Sequence, residues 1–403
     1  MSAEITPLPQ PSEDRCAVYL QSFSVRYEFP VYFTERLFAH DNQAFRDTLL
    51  RREPGRRHRF VVFIDANVAA SFPSLEHDIA GYAGVHADAM ELVAHPEPVP
   101  GGEQVKNDPA LLTRLQHRLV ELGIDRHAFV VGIGGGAFLD LVGYAASSTH
   151  RGIRHVRVPT TVLAQNDSGV GVKNGVNAFG VKNLIGSFAP PFAVLNDFDF
   201  LRTLQPRDKI AGVAEAVKVA LIRDRIFFEW LEAKADALRA CEPAAMARMI
   251  RRCAELHMRQ IGQGGDPFET GSARPLDYGH WSAHKLEALT GHELRHGEAV
   301  AIGLALDTRY SVQTNLLAAG GDDRVHALLK RVGFHLWHPA LESRDAEGRF
   351  LLLRGLEEFR EHLGGELTIT LLRDIGVGEE VHQMDANEIR RAMSWLRRRE
   401  VGT

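Results

Sequence analysis

Polar and apolar positions follow two regimes along this chain. Residues 1–15 are polar and proline-containing, so 1–16 reads as a frayed tail. Strand-like text begins near Val18, with Phe23-Ser24-Val25-Arg26-Tyr27 alternating in polarity. The run Arg59 to Ile64 is almost wholly apolar and ends in Asp65-Ala66-Asn67, which predicts a buried parallel strand and a turn. A further strand is expected within 86–98, closed by a loop of Pro and Gly. A helical period over 109–122 and a buried strand at 129–133 follow. Strands alternating with helices predict a Rossmann-like parallel sheet with helices on both faces. Beyond Leu201 the period becomes helical, over 209–224, 226–238, 244–261, 280–289, 298–314 and 325–332. The expected organisation is therefore an α/β domain over 17–195 and a mostly α-helical domain over 196–403.

Composition adds exclusions. The chain has 403 residues, 45% of them hydrophobic and 25% charged, with a net charge of −5, enough for two cores and no general attraction to nucleic acid or anionic membrane. The basic clusters at Arg51-Arg52, Arg56 to Arg59 and Arg397 to Arg399 read as solvated faces. Three cysteines without CxxC spacing make neither a disulfide framework nor a thiolate metal site. The first residues lack the basic and apolar regions of a signal peptide, and no apolar run approaches the roughly 20 residues that span a bilayer. A cytoplasmic location is the expectation.

Two segments carry candidate chemistry. Gly132 to Leu141, with Gly134-Gly135-Gly136 and Asp140, follows a predicted strand and opens a predicted helix. Glycines there let backbone N–H groups approach a pyrophosphate, although a tight turn alone also needs them. The stretch Pro159 to Asn177, followed by Lys182-Asn183, is dense in hydroxyls, amides and small residues. Such a stretch suits a polyhydroxylated, phosphorylated ligand, or a hydrogen-bonded loop.

The wording of these segments, together with Gly102 to Lys106, Arg151-Gly152-Ile153, Ala211 to Glu215 and Arg295 to Val300, resembles the dehydroquinate synthase family, or sugar-phosphate cyclases. The resemblance runs in one order from about Asp65 to Gly376. It implies NAD-binding and metal-binding domains, a phosphate-eliminating carbon–oxygen lyase, and a homodimer.

Glu215, His280 and His296 offer two imidazoles and one carboxylate, which leaves a position open as in catalytic zinc sites. Singly, each is more often an ordinary core or surface group, and His280 with His284, four residues on, is a rival pair. The resemblance assigns Glu215, His280 and His296 to the metal, zinc or cobalt, and His284 to the active site beside it.

The resemblance also implies that bound NAD⁺ first oxidises a substrate hydroxyl, phosphate is then eliminated, the hydride returns, and an intramolecular aldol step closes a carbocycle. It places Asp65, Asn67, Glu103, Lys106, Gly135, Gly136, Asp140, Thr160, Thr161 and Lys182 around the cofactor. Asp167 and Lys218 would meet substrate hydroxyls, and Lys173 and Asn183 the phosphate. Arg151 would reach the phosphate of a neighbouring subunit's site, and His284 would manage protons or bind phosphate.

Departures from the family wording point to the substrate. Where dehydroquinate synthase holds a substrate carboxylate with Lys and Arg, this chain has His257 and Ala273, with Arg274 one residue on. Asp277 stands for an asparagine, and a basic stretch near the C-terminus is replaced by Phe359 to His362. A desolvated carboxylate needs a paired cation, so these changes fit a substrate without one. Asp277 and His362 are similar to replacements in cyclases acting on sedoheptulose 7-phosphate. The retained His284 resembles the 2-epi-valiolone branch more than the 2-epi-5-epi-valiolone branch. The alternatives are dehydroquinate synthase itself, a polyol dehydrogenase of related fold that would accumulate NADH, and a catalytically inert binding protein.

Overall fold

The computed structural model describes residues 4–7, 19–179, 181–268, 275–291, 293–362 and 365–402. Its strands are β1 Glu4–Pro7, β2 Tyr19–Ser22, β3 Val31–Thr34, β4 His58–Asp65, β5 Met90–Leu92, β6 Glu97–Val99, β7 Phe129–Gly134, β8 Arg154–Pro159, β9 Lys173–Ala178, β10 Val181–Phe188, β11 Ala193–Asp197, β12 Ile369–Asp374 and β13 Val377–Val381.

Seven of these form one sheet in the order β3-β11-β8-β7-β4-β5, with β6 pairing the far end of β4. Every pairing in it is parallel. Burial on both faces explains the continuous apolar runs that mark these strands. Along β4, Phe60, Val62 and Ile64 pack into one core while Val61 and Phe63 pack into another. The first core backs the helices Ala44–Leu50 and Leu75–Val85, and the second backs Pro109–Glu121 and Gly136–Ser148. After β4 the chain fills the edge with β5 and β6, then returns to place β7 on the other side of β4. The carboxyl ends of β4 and β7 thus form a topological switch point, the crevice where open α/β sheets bind ligands.

The described residues between 206 and 332 form helices joined by turns, around a third and larger core. Among the described residues no helix is long and apolar enough to cross a membrane. The parallel sheet followed by a mostly helical half matches the expected fold class.

Local differences have physical causes. Residues 4–7, expected to be frayed, pair with β2, while 23–27, expected to be a strand, form none and leave Phe23, Val25 and Tyr27 exposed. The helix expected over 209–224 divides at Gly212 into Pro206–Ala211 and Val213–Arg223. There the Gly212 carbonyl accepts from Asn166 Nδ2 at 2.8 Å, and a Cβ would meet the Val162 side chain at 2.5 Å. The polar stretch after Pro159 is no mere loop: it contains the short helix Val162–Asn166 and the antiparallel hairpin β9–β10.

Candidate active site

The switch-point crevice is built for close backbone approach. Asp65 ends β4 and caps the next helix, its Oδ1 accepting from the Asn67 backbone N–H at 2.9 Å and from Asn67 Nδ2 at 3.1 Å. A Cβ on Gly101 would lie 2.0 Å from that carboxylate, so the loop before Glu103 folds against Asp65 only as glycine. Past β7, Gly135 sits at the N-cap of the helix Gly136–Ser148 without a side-chain cap, which leaves first-turn N–H groups free. A Cβ on Gly136 would meet Ser168 Oγ at 2.6 Å, and that buried hydroxyl has no hydrogen-bond partner among the described residues. Uncapped N–H groups, an orphaned hydroxyl and glycine walls together fit a dinucleotide pyrophosphate. Thr160 donates its backbone N–H to the Gly134 carbonyl at 3.0 Å, and Thr161 caps the helix Val162–Asn166. Lys106, on the 3-10 turn Glu103–Asn107, pairs with Asp140 at 2.7 Å and also donates to Asn183 Oδ1. Asn183, expected at the phosphate, accepts from Lys106 through its amide oxygen.

The β9–β10 ladder shifts register between Val181 and Ile185, and Asn183 there has φ of 56°. Bulges re-aim side chains, and this one turns Lys182 toward the helical half, where it donates to Glu287 Oε1 at 3.1 Å. Lys173 opens β9 on the exposed side, and Arg151 is exposed with φ of 61°. Beneath the strand, Arg157 is fully buried. Its guanidinium donates to the carbonyls of Gly169, Gly171 and Lys173 and to Asn174 Oδ1 at 2.7–3.1 Å, pinning the loop that runs from Asp167 to Lys173.

Across the cleft, Glu215, His280 and His296 each lie in the first turn of a different helix: Val213–Arg223, His280–Leu289 and His296–Gln313. Glycine contacts fix two of these starts. A Cβ on Gly303 would lie 2.0 Å from the Gly279 carbonyl, and one on Gly297 would lie 1.9 Å from that of Ala211. Glu215 Oε1 faces His280 Nε2 at 3.6 Å and His296 Nε2 at 3.3 Å. The far ring nitrogens are taken: His280 Nδ1 donates to the Tyr278 carbonyl at 3.1 Å, and His296 Nδ1 to Glu287 Oε2 at 3.0 Å. Both Nε2 atoms are thereby aimed at the carboxylate, as outer-shell partners of metal histidines do.

Charge follows geometry. Burial would raise the Glu215 carboxyl, but Lys218 and then His296 hold it at about 2. Burial would lower His296, but Glu287 and Glu215 outweigh it and raise the imidazole to about 9. His280 is held well below its ordinary range, by burial first and by the Lys218 charge next. Glu215 Oε1 is buried, and among the described residues no donor meets it with good hydrogen-bond geometry. An orphaned carboxylate oxygen between two oriented imidazoles fits a divalent cation, and three protein ligands would leave a position open. Ligand atoms of His284, Glu287 and His296 also lie within 4.8 Å of one another, whereas the rival pair His280 and His284 shares no such set among the described residues.

Lys218 pairs with Glu215 and stands 3.9 Å from Asp167, whose Oδ1 accepts from His257 Nδ1 at 2.7 Å. Asp277 is half-buried next to His280. Burial would raise its carboxyl, but the charges of Lys173, His280 and His284 keep it below its usual range. Arg274 and the side chain of His362 lie outside the described residues. Two contributors escaped the sequence reading, Glu287 and Arg157. The first had a signal, since Glu287 falls three residues past His284 and seven past His280, on one helix face. Nothing local marked Arg157.

A doubly wound sheet with a dinucleotide crevice, facing a helical half that gathers a carboxylate and two histidines, defines a two-part enzyme scaffold with cofactor and metal clefts opposed. Residues 97–211 match the 3-dehydroquinate synthase N-terminal family and residues 212–351 the 3-dehydroquinate synthase C-terminal family. A curated 3-dehydroquinate synthase from Cereibacter sphaeroides is 36% identical over 342 residues, 84% of this chain and 89% of that protein. One from Halorhodospira halophila is 40% identical over 259 residues, 64% of this chain and 71% of that protein. Among solved structures, the 2-epi-5-epi-valiolone synthase of Streptomyces hygroscopicus subsp. jinggangensis 5008, with NAD⁺ and Zn²⁺ bound, superposes with a TM-score of 0.81. It is 28% identical, over 94% of this chain and 99% of that one. A 2-deoxy-scyllo-inosose synthase complexed with carbaglucose-6-phosphate, NAD⁺ and Co²⁺ follows at 0.74 and 25% identity, over 91% and 96%. The chain belongs to the 3-dehydroquinate synthase family of sugar-phosphate cyclases.

Proposed function

We propose that this protein is a homodimeric, NAD- and metal-dependent cyclase that converts sedoheptulose 7-phosphate to a valiolone-type cyclitol, 2-epi-valiolone being favoured, with elimination of phosphate. The observation that carries the substrate choice is the charge at the cleft end where Asp277 and His257 stand. Asp277 is kept ionised, and His257 is committed to Asp167. An anionic side chain there repels a substrate carboxylate and accepts hydrogen bonds from hydroxyls.

In this reading Glu215, His280 and His296 hold zinc or cobalt, and the residues around Asp65, Gly135 and Gly136 hold NAD. The bound pair supplies reversible hydride transfer and Lewis-acid polarisation of a substrate oxygen. The chain's own groups do the rest. Lys218 keeps Glu215 and Asp167 ionised, burial opposing and their two charges prevailing to hold the ammonium above its ordinary range. Asp167, backed by His257, accepts from a substrate hydroxyl. Lys173 supplies a cation for the phosphate, on a loop that Arg157 fixes from below. His284, its ring centroid 5.4 Å from that of His280, lies close enough to exchange a proton with a substrate held at the metal.

The homodimer is supported by the exposed apolar side chains Phe179, Val181, Leu184 and Phe188 of a hairpin whose Ser187 bonds Ser147, on the helix that leads into the exposed Arg151 turn. A second reading, 3-dehydroquinate synthase, is favoured by the names of the two curated relatives. Incubating the zinc-loaded protein and NAD⁺ with each substrate, with assay of phosphate and mass spectrometry of the product, separates them. Phosphate from sedoheptulose 7-phosphate alone, without accumulated NADH, supports the proposal. Phosphate from the carboxylated substrate alone replaces it with the second reading.

A further inference from the structure

Glu287 joins the two halves of the cleft's machinery through one carboxylate. It lies on the helix His280–Leu289, with its side chain 4% exposed. Its Oε2 accepts from His296 Nδ1 at 3.0 Å, and its Oε1 accepts from Lys182 Nζ at 3.1 Å. Lys182 comes from the β9–β10 bulge in the sheet half and stands 3.7 Å from Glu103 Oε1, in the loop that closes on Asp65. Polar contacts therefore run from Glu103 through Lys182 and Glu287 to His296 and Glu215.

We propose that Glu287 couples the two sites, so that NAD and the metal ion bind with positive cooperativity. This rests on the cofactor and metal assignment above. A carboxylate that accepts from a metal-bound imidazole strengthens that ligand. An ammonium on the same carboxylate withdraws part of that effect and places a like charge near the cation. A dinucleotide's pyrophosphate and hydroxyls draw the Lys182 ammonium toward the crevice, where Glu103 already offers it a second carboxylate. Glu287 is then left to His296 alone, and the metal is held more tightly. By linkage the metal must tighten the cofactor by the same factor. Lys182 is thus a brake released by the cofactor, and Glu287 is a positioning residue with two settings.

The test is metal affinity rather than turnover. The full-length protein is stripped of metal and titrated with Co²⁺ or Zn²⁺ against a competing chelator, with and without saturating NAD⁺. NAD⁺ binding is followed separately. For the parent protein, NAD⁺ should tighten the metal on the order of tenfold. In Glu287→Gln, which keeps the shape, the metal should weaken by about 10- to 100-fold and NAD⁺ should no longer change it. In Lys182→Met the metal should bind without NAD⁺ about as tightly as it binds the parent with NAD⁺. A purely structural role for Glu287 would weaken the metal but leave the NAD⁺ effect intact, and that result overturns the coupling. So does a loss of metal affinity in Lys182→Met. If the parent binds NAD⁺ and metal but independently, the coupling fails and the site assignment stands. If it binds neither, both fall.

Discussion

Asp307 offers a quantitative check on how the metal-bearing helices are braced. It lies on the helix His296–Gln313 and is fully buried, and its Oδ1 accepts from Trp281 Nε1 at 2.9 Å on the neighbouring helix. The Gly279 backbone also donates to this carboxyl, while Oδ2 has no partner. Burial pushes the group from 3.8 up to about 7, the two hydrogen bonds opposing. Between those values the folded protein holds a proton that the unfolded chain has released. Stability is therefore lost as pH rises from about 4 to 7 and is flat above, for a total of about 4 kcal/mol. Asp307→Asn keeps the Oδ1 acceptor and cannot ionise, although its new amide N–H groups lack partners at a cost of about 1–3 kcal/mol. That cost does not depend on pH. The stability of the variant relative to the parent should therefore grow by about 2 kcal/mol between roughly pH 5.5 and 8.5, whatever the constant term. Urea unfolding of the metal-free protein, followed by circular dichroism at both pH values, measures it. Parallel behaviour of parent and variant across that range would refute the argument, because it would mean that Asp307 is ionised or hydrated in the fold.

Three further outcomes follow from contacts in the site. Glu215→Gln leaves the buried Lys218 ammonium with Asp167 at 3.9 Å and the more distant Asp277, so the metal-free protein should lose about 3–5 kcal/mol in denaturant titration, and zinc should no longer survive dialysis. Arg157→Leu strips donors from four acceptors on the loop between Gly169 and Asn174, at about 1–3 kcal/mol for each that stays buried. Burial of the guanidinium, which lowers it to about 10, already costs about 3 kcal/mol, so the net loss should be a few kcal/mol, with KM for the sugar phosphate rising more than kcat falls. Gly297→Ala drives a Cβ into the Ala211 backbone at 1.9 Å and should cost about 1–3 kcal/mol. It should also weaken metal retention through the displaced His296, as read by chelator competition.

Much of the sheet half was legible in the chain, because a strand buried on both faces must be apolar at every position and helices between such strands must carry a 3.6-residue period. Phe60 to Ile64 and Phe129 to Ile133 show this directly. The metal candidates Glu215, His280 and His296 were likewise recoverable, since their residue types limit the chemistry and the wording around them is distinctive. Only the tertiary structure decided what those groups do to one another. His296 and Glu287 are near in sequence, but Lys182 reaches Glu287 across 105 residues, and Arg157 meets the loop from beneath a strand. The hairpin β9–β10 depends on pairing between two strands, and β9 carries Lys173, Asn174, Gly175 and Asn177 in place of an apolar run, so its sequence resembled a polar loop. The break at Gly212 depends on Val162, fifty residues earlier. Periodicity is local and survives in the sequence. Hydrogen-bond partners, close glycine contacts and the charges that set a carboxyl near 2 or near 7 are properties of groups brought together by folding, and no single stretch of chain contains them.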